Sequence, residues 1–176
     1  MAQSVFVRAA QIVLIPDISP FDVYADGDAF GAAIDVTSQL PKGPTTSLNP
    51  AGVAVTAKMA KTFLEVTTIY AVDHDYQKPE FDLYFRGEDF ANDIADNDPW
   101  SLVGSDQDDT HGPIKVYSGN WVGMPVGAET FGRNASQPLV RVPLDGSKLL
   151  VKFVIRTAST FTSANPIKLV LVGHQN

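Results

Sequence analysis

The most constraining feature of this 176-residue sequence is a two-residue alternation of apolar and polar side chains, clearest at Phe81–Arg86, 148–156 and 167–172. Such a period places every second side chain on the same face of a β-strand. Helical signals are scarce, so the sequence predicts an all-β protein: an antiparallel, jelly-roll-like β-sandwich with long polar loops and at most one short helix. A single domain over residues 1–176 is expected, because 44% of the residues are hydrophobic and can form one core.

The first predicted strand, residues 5–15, is apolar on both faces apart from Arg8 and Gln11. A strand of this kind is central to a two-layer core or is covered by another subunit, because a free edge of such composition pairs without control. Its predicted contacts with a partner are Phe6, Ile12 and Leu14.

Further strands are predicted between turn-forming residues, near 29–37, 53–57, 62–72, 114–117, 120–124 and 139–144. Asp145-Gly146, between two apolar segments, predicts a tight hairpin, since glycine accepts the positive φ that such a turn needs. The one good helix start is Asp98-Pro99, where an N-cap residue precedes proline, and Gly104 would end that helix.

The charge is unevenly distributed along the chain. The formal net charge is -7, which argues against nucleic-acid binding because phosphate recognition needs clustered Lys and Arg. Residues 73–111 hold twelve acidic residues against two basic ones, with a loop excursion predicted at about 87–113, whereas residues 133–176 hold six basic residues and one acidic one. This uneven distribution of charge has two explanations. The two regions complement a partner or a neighbouring copy of the chain across a contact, or the carboxylates only keep long loops solvated.

Few residues suggest chemistry. There is no cysteine, and no hydrolase elbow or phosphate-binding loop occurs. The aspartate groups at 26/28, 96/98 and 106/108/109 could ligate calcium, although capping of turns is the simpler role. His74 lies between two aspartates but lacks a second histidine at ligand spacing. We therefore expect no catalytic residue, no metal site and no cofactor, although paired carboxylates of a glycoside hydrolase stay open.

Exposed aromatic residues would be a second kind of contact. Four aromatic side chains in the second half of the chain could stack on sugars or pack in a core or interface, namely Trp100, Tyr117, Trp121 and Phe131. Trp100 and Trp121 are predicted to be exposed and to contact a partner. No secretory leader or span of apolar residues long enough for a membrane is evident, so a soluble protein made in a cytoplasm is expected.

Several short motifs, in order, carry a resemblance to a known family: Tyr-Ala-Asp-Gly-Asp-Ala-Phe-Gly at 24–31, Phe-Asp-Leu-Tyr-Phe at 81–85, Asp-Asn-Asp-Pro-Trp-Ser-Leu at 96–102 and a last strand at 167–173. In this order the chain resembles small structural proteins of tailed bacteriophages, the jelly-roll decoration or cement proteins. The resemblance implies a protein of the virion that binds the major capsid protein on the assembled head, commonly as a trimer. It implies no catalytic residues.

Residues and resemblance together predict a capsid decoration protein located on the virion surface and synthesised in the host cytoplasm. It binds neither nucleic acid nor membrane. The alternative is a carbohydrate-binding jelly-roll module on a phage or bacterial surface.

Overall fold

The computed structural model describes residues 8–40, 47–48, 54–55, 62–94, 96–126, 129–136, 140–144 and 148–175. Within these ranges the strands are β1 (Arg8–Leu14), β2 (Val23–Tyr24), β3 (Ile34–Asp35), β4 (Ser47–Leu48), β5 (Ala54–Val55), β6 (Thr62–Asp73), β7 (Phe81–Arg86), β8 (Thr110–Val116), β9 (Val122–Val126), β10 (Glu129–Ser136), β11 (Val140–Leu144), β12 (Leu150–Ile155), β13 (Ser159–Thr160) and β14 (Ile167–Gln175). The helical elements are a one-turn α1 (Asp106–Asp109) and 3-10 turns at Thr37–Gln39 and Ser118–Asn120.

The larger sheet has six strands in the order β1-β14-β6-β10-β9, with β11 also paired to β6. All of its pairings are antiparallel. Because β6 is 12 residues long, its first half pairs with β11 and its second half with β10. β6 therefore pairs with three strands, β10, β11 and β14, and is the central strand of the larger sheet.

A smaller sheet of four strands, in the order β3-β12-β7-β8, packs against the larger one. The two sheets share one core, because the same buried cluster contains side chains from both. Its members include Ile12, Leu14, Leu64 and Leu169 from the larger sheet and Leu83, Phe85 and Phe153 from the smaller one. The predicted all-β antiparallel sandwich is confirmed, with β7 at the predicted residues 81–86.

One of the two predicted arrangements placed the first strand at the centre of the core. The structure places it at the edge of a sheet instead. β1 forms one edge of the larger sheet and pairs with β14 alone among the described strands. Ile12 and Leu14 point into the core and are at most 1% exposed, whereas Gln11 and Ile15 on the other face are exposed. The second sheet therefore covers one face of β1, as one side of an ordinary sandwich.

Two local predictions are wrong because contacts between distant residues override them. Asp145-Gly146 lies outside the described residues, but the described strands on either side of it do not pair as a hairpin, since β11 pairs with β6 while β12 pairs with β3 and β7 in the other sheet. The helix predicted from Asp98-Pro99 is absent, and Pro99 instead forms an isolated β-bridge with Asp28. The short helix begins after Gly104, at Asp106.

Candidate functional site

The predicted acidic excursion begins with a segment that covers the outer face of the smaller sheet. We call residues 87–94 and 96–103 the strap. Phe90 and Trp100 of the strap form a second buried cluster with Leu150 and Val154 of β12. The strap explains why every residue of β12 is buried, although only one face of this strand meets the main core.

The predicted partner contacts lie inside the fold wherever the structure describes them. Phe6 lies outside the described residues. The expectation that the two tryptophans are exposed is wrong, because Trp100 is 8% and Trp121 is 6% exposed. The indole Nε1 of Trp100 donates to Asn92 O at 2.8 Å, and that of Trp121 donates to Pro79 O at 2.9 Å. Ile12 and Leu14 are also in the core, so none of the four predicted contacts that the structure describes is exposed.

Asp96 fixes the strap to the N-terminal third of the chain. Its carboxylate accepts hydrogen bonds from Ser19 N at 2.7 Å, from the Tyr24 hydroxyl at 2.8 Å and from Gly31 N at 2.9 Å. Burial raises the pKa of Tyr24 far above its ordinary value, and the hydrogen bond to Asp96 raises it further. The phenol therefore stays neutral and acts as a donor, so this tyrosine is a structural anchor.

Lys152 is the second anchor of the strap. It is fully buried, and its Nζ donates to Gly31 O and Asp93 Oδ1, both at 2.9 Å, and to Ile94 O. Burial lowers the pKa of Lys152, and the neighbouring Asp93 opposes that change. Because all three donors of the ammonium group are engaged, Lys152 holds the strap in place and leaves no donor for a ligand.

Much of the charge complementarity predicted for a subunit contact is satisfied within one chain. Three of the six bases in residues 133–176 pair with acids from the acidic region. The pairs are Lys148 with Asp89 at 2.7 Å, Lys152 with Asp93 at 2.9 Å and Arg156 with Asp82 at 2.8 Å. The opposite charges of the two regions therefore reflect how the chain folds on itself.

Three of the seven predicted calcium aspartates, Asp28, Asp96 and Asp106, accept hydrogen bonds from loop backbone. Asp28 accepts Ala25 N at 2.6 Å, and Asp106 accepts Ala91 N at 2.8 Å while it pairs with Arg86. In the part of the chain that the structure describes, no three His, Asp or Glu side chains lie close enough to hold a metal ion. None of the described helices is long and apolar enough to span a bilayer.

Asp73 organises the loop that contains His74. It is buried and accepts Asp75 N at 3.0 Å and Lys78 N at 2.7 Å, while burial raises its pKa. His74 itself is exposed. The loop is therefore closed by its own aspartate, which is turn chemistry of the kind that short polar side chains provide.

Large apolar side chains are exposed in several places in the described part of the chain, and three of these places lie on different strands. On the open face of the larger sheet, Val13, Val170 and Tyr70 lie in one cross-strand row, and Tyr70 is 46% exposed. Phe21 and Val23, at and beside β2, are 70% and 68% exposed. The third place is around the start of β9, where Val122 is 61% exposed. Of the four aromatic residues predicted as possible contacts, Tyr117 is 52% exposed, whereas the burial of Phe131 lies outside what the structure describes.

The motifs at 24–31 and 96–102 interlock in the structure. Ala29 N donates to Asp98 O, Asn97 N donates to Ala29 O, and Trp100 N donates to Gly27 O, each at 2.9 Å. The hydrogen bonds of Asp96 to Tyr24 and Gly31 join the same two segments. Comparison with known proteins adds no relative, since no family model, curated protein or solved structure matches the chain.

Proposed function

We propose that this protein is a decoration protein of a tailed-phage capsid, which binds the assembled head and stabilises it. In this role it contacts the major capsid protein from the outer surface of the shell, as a trimer. It performs no reaction, and its effect comes from binding alone.

The observation that carries the proposal is the interlocking of the two motifs on which the family resemblance rests. The segments 24–31 and 96–102 are about seventy residues apart, yet they share backbone hydrogen bonds and the Asp28–Pro99 bridge. The two motifs therefore form one folded unit, and the resemblance rests on a single structural feature of the chain.

The stabilising mechanism follows from mass action. A protein that binds only the assembled shell favours it by RT ln(1 + [L]/Kd), which is about 2.7 kcal/mol per site at a hundredfold excess over Kd. Summed over the many equivalent sites of a shell, this opposes the pressure of packaged DNA. A β-sandwich with an open sheet face and exposed apolar side chains suits such a role.

Cosedimentation with phage heads tests the proposal. Purified protein is mixed with mature heads and with unexpanded procapsids of the phage that encodes it, and the bound fraction is measured against protein concentration. We expect saturable binding to mature heads, with a ratio to the capsid protein fixed by lattice symmetry, and heads that resist heat better when saturated. Absence of binding to both particles would refute the proposal.

The same preparation distinguishes the alternative function. A carbohydrate-binding module would leave heads unbound and would be retained on immobilised host polysaccharide. Light scattering at several concentrations tests the trimer separately, because a strict monomer would remove that part alone.

A further inference from the structure

The turn before β2 places an aromatic residue where the backbone favours glycine. Pro20 is followed by Phe21, whose φ is 71°, and both lie in a turn. Proline at the second position and positive φ at the third are features of a type II turn, in which the third residue is usually Gly or Asn. A bulky residue in this region of backbone conformation is a steric outlier.

The Phe21 side chain contributes little to the stability of the fold. It is 70% exposed, and its ring makes no ring-stacking or cation–π contact with any residue in the described part of the chain. Tyr76 is a useful contrast, since its φ of 56° is also positive but Lys78 Nζ lies 4.4 Å from its ring centroid. Phe21 is therefore strained and exposed at once, and neither property stabilises the isolated protein.

The turn around Phe21 is nevertheless held firmly. Ile18 N donates to Ala164 O at 3.1 Å, and Phe21 N donates to Phe161 O at 2.7 Å. Between them Ser19 N donates to Asp96 at 2.7 Å. These bonds tie the turn to two distant parts of the chain, so the aromatic ring is presented on a pre-organised support, which lowers the entropy lost on binding.

Phe21 and Val23 are two exposed apolar residues that flank Asp22, with further carboxylates nearby. Val23 is 68% exposed, and its register partner on β13 is the exposed Thr160. The charged residues nearest along this segment are carboxylates, and since Asp26 is paired with Arg156 at 3.5 Å, the exposed Asp17 and the half-buried Asp22 are the two of these without an ion pair among the described residues. An apolar centre with a charged rim is the usual organisation of a protein–protein contact.

We propose that Phe21 and Val23 form the knob with which the protein docks into an apolar pocket of the assembled capsid shell, a pocket rimmed by Lys or Arg. The acidic neighbours of the knob select a basic rim by charge complementarity. This inference rests on the proposed decoration function and names the surface that performs it. Strain and exposure at Phe21 are compensated only in the complex, where the ring is buried.

The decisive variant is Phe21→Gly, tested in cosedimentation with mature heads. Glycine relieves the strained φ, so we expect a melting temperature no more than about 4 °C below that of the wild type. Loss of a central aromatic anchor should raise Kd about thirtyfold or more. Unchanged stability together with lost binding is the result that a merely structural residue would not give.

A matched pair of valines provides the control. Val23→Lys and Val122→Lys place the same charge on strand residues of similar exposure, 68% and 61%, in different sheets. Only Val23→Lys should weaken head binding, because it opposes a basic rim as well as removing an apolar contact. Equal losses in both variants would overturn the proposal, because any added charge would then suffice.

The outcomes separate this inference from the proposed function. If the wild type binds heads and Phe21→Gly binds equally well, the knob is refuted and the decoration function stands. If the wild type does not bind heads, both fail. If Phe21→Gly abolishes only self-association, the pocket belongs to a second copy of the chain, and the proposed occupant is wrong.

Discussion

The side-chain amide of Gln39 pairs with both backbone groups of Val13. Gln39 Oε1 accepts Val13 N at 2.7 Å, and Gln39 Nε2 donates to Val13 O at 2.9 Å. The amide thus takes the place of a neighbouring strand at the free edge of β1. Edge strands in natural proteins are commonly protected from pairing with other chains, and here one side chain provides that protection.

Removal of this amide tests its role at the edge. We expect Gln39→Ala to lower the free energy of unfolding by about 1 kcal/mol and to cause association that increases with protein concentration. Urea denaturation and light scattering measure the two effects. Gln107→Ala is the control, because Gln107 makes only a 3.5 Å contact with Leu102 O on an exposed turn. Stability and association state identical to the wild type would contradict the edge role.

The strap depends on Trp100 for its packing. Because the ring lies against Tyr84 and Phe90, with centroids 5.0 Å and 5.7 Å away, Trp100→Ala should destabilise the protein by about 3 kcal/mol or more. Limited proteolysis should then cut within residues 87–103 sooner than in the wild type. The control Val103→Ala, at a residue 38% exposed, should change stability by less than about 0.5 kcal/mol. A strap equally resistant in both variants would show that other contacts hold it.

Lys152 and Lys148 form a natural comparison between a buried and a surface ion pair. Lys152→Met leaves Gly31 O and Ile94 O without their donor, so we expect a loss of about 2 kcal/mol or more. Lys148→Met removes a pair whose carboxylate, on Asp89, is 76% exposed, so a much smaller loss of stability is expected. Chemical denaturation of both variants gives the answer. Equal losses would mean that Lys152 is not the anchor described.

The raised pKa of Tyr24 predicts a specific response to alkaline pH. In the unfolded chain this phenol ionises near pH 10, whereas in the folded protein it stays neutral to higher pH. Its contribution to stability is therefore complete below about pH 10 and is lost as the pH rises, by up to about 1.4 kcal/mol per pH unit. Tyr24→Phe should be the less stable protein at pH 7 but should lose less stability above pH 10. Parallel curves of unfolding free energy against pH would exclude this linkage.

The sequence predicted correctly those strands in which apolar and polar side chains alternate. It failed where contacts between distant residues determine the secondary structure. β7 and β14 were recognised because their side chains alternate. β10 was missed because Thr-Phe-Gly-Arg-Asn-Ala-Ser shows no such alternation, and its strand form comes from pairing with β6 and β9. The helix at Asp98-Pro99 was predicted from a good local start, but burial of Trp100 requires the extended chain that bridges to Asp28.

The exposed surface was harder to predict than the fold. No local pattern shows that Trp100 of the strap is buried against the smaller sheet. None shows that Trp121 lies under the 74–80 loop, with its indole bonded to Pro79 O. Phe21 left one signal, a proline followed by a non-glycine residue in a turn segment, but its positive φ and its exposure are properties of the folded chain. Surface residues are determined by which segments cover them, and that information is tertiary.

The aspartates that close the loops have a consequence for the acidity of the protein. Asp35, Asp73, Asp75, Asp93 and Asp96 each accept at least one backbone N–H, so these carboxyl groups are part of the structure of their loops. The pI near 4.7 therefore reflects, in part, carboxylates that hold loops in place, and it is a poor guide to which molecules the protein binds. Neutralising these carboxylates to raise the isoelectric point would loosen the loops that they close. Lysines added to the open face of the larger sheet would raise the isoelectric point and leave those loop contacts intact.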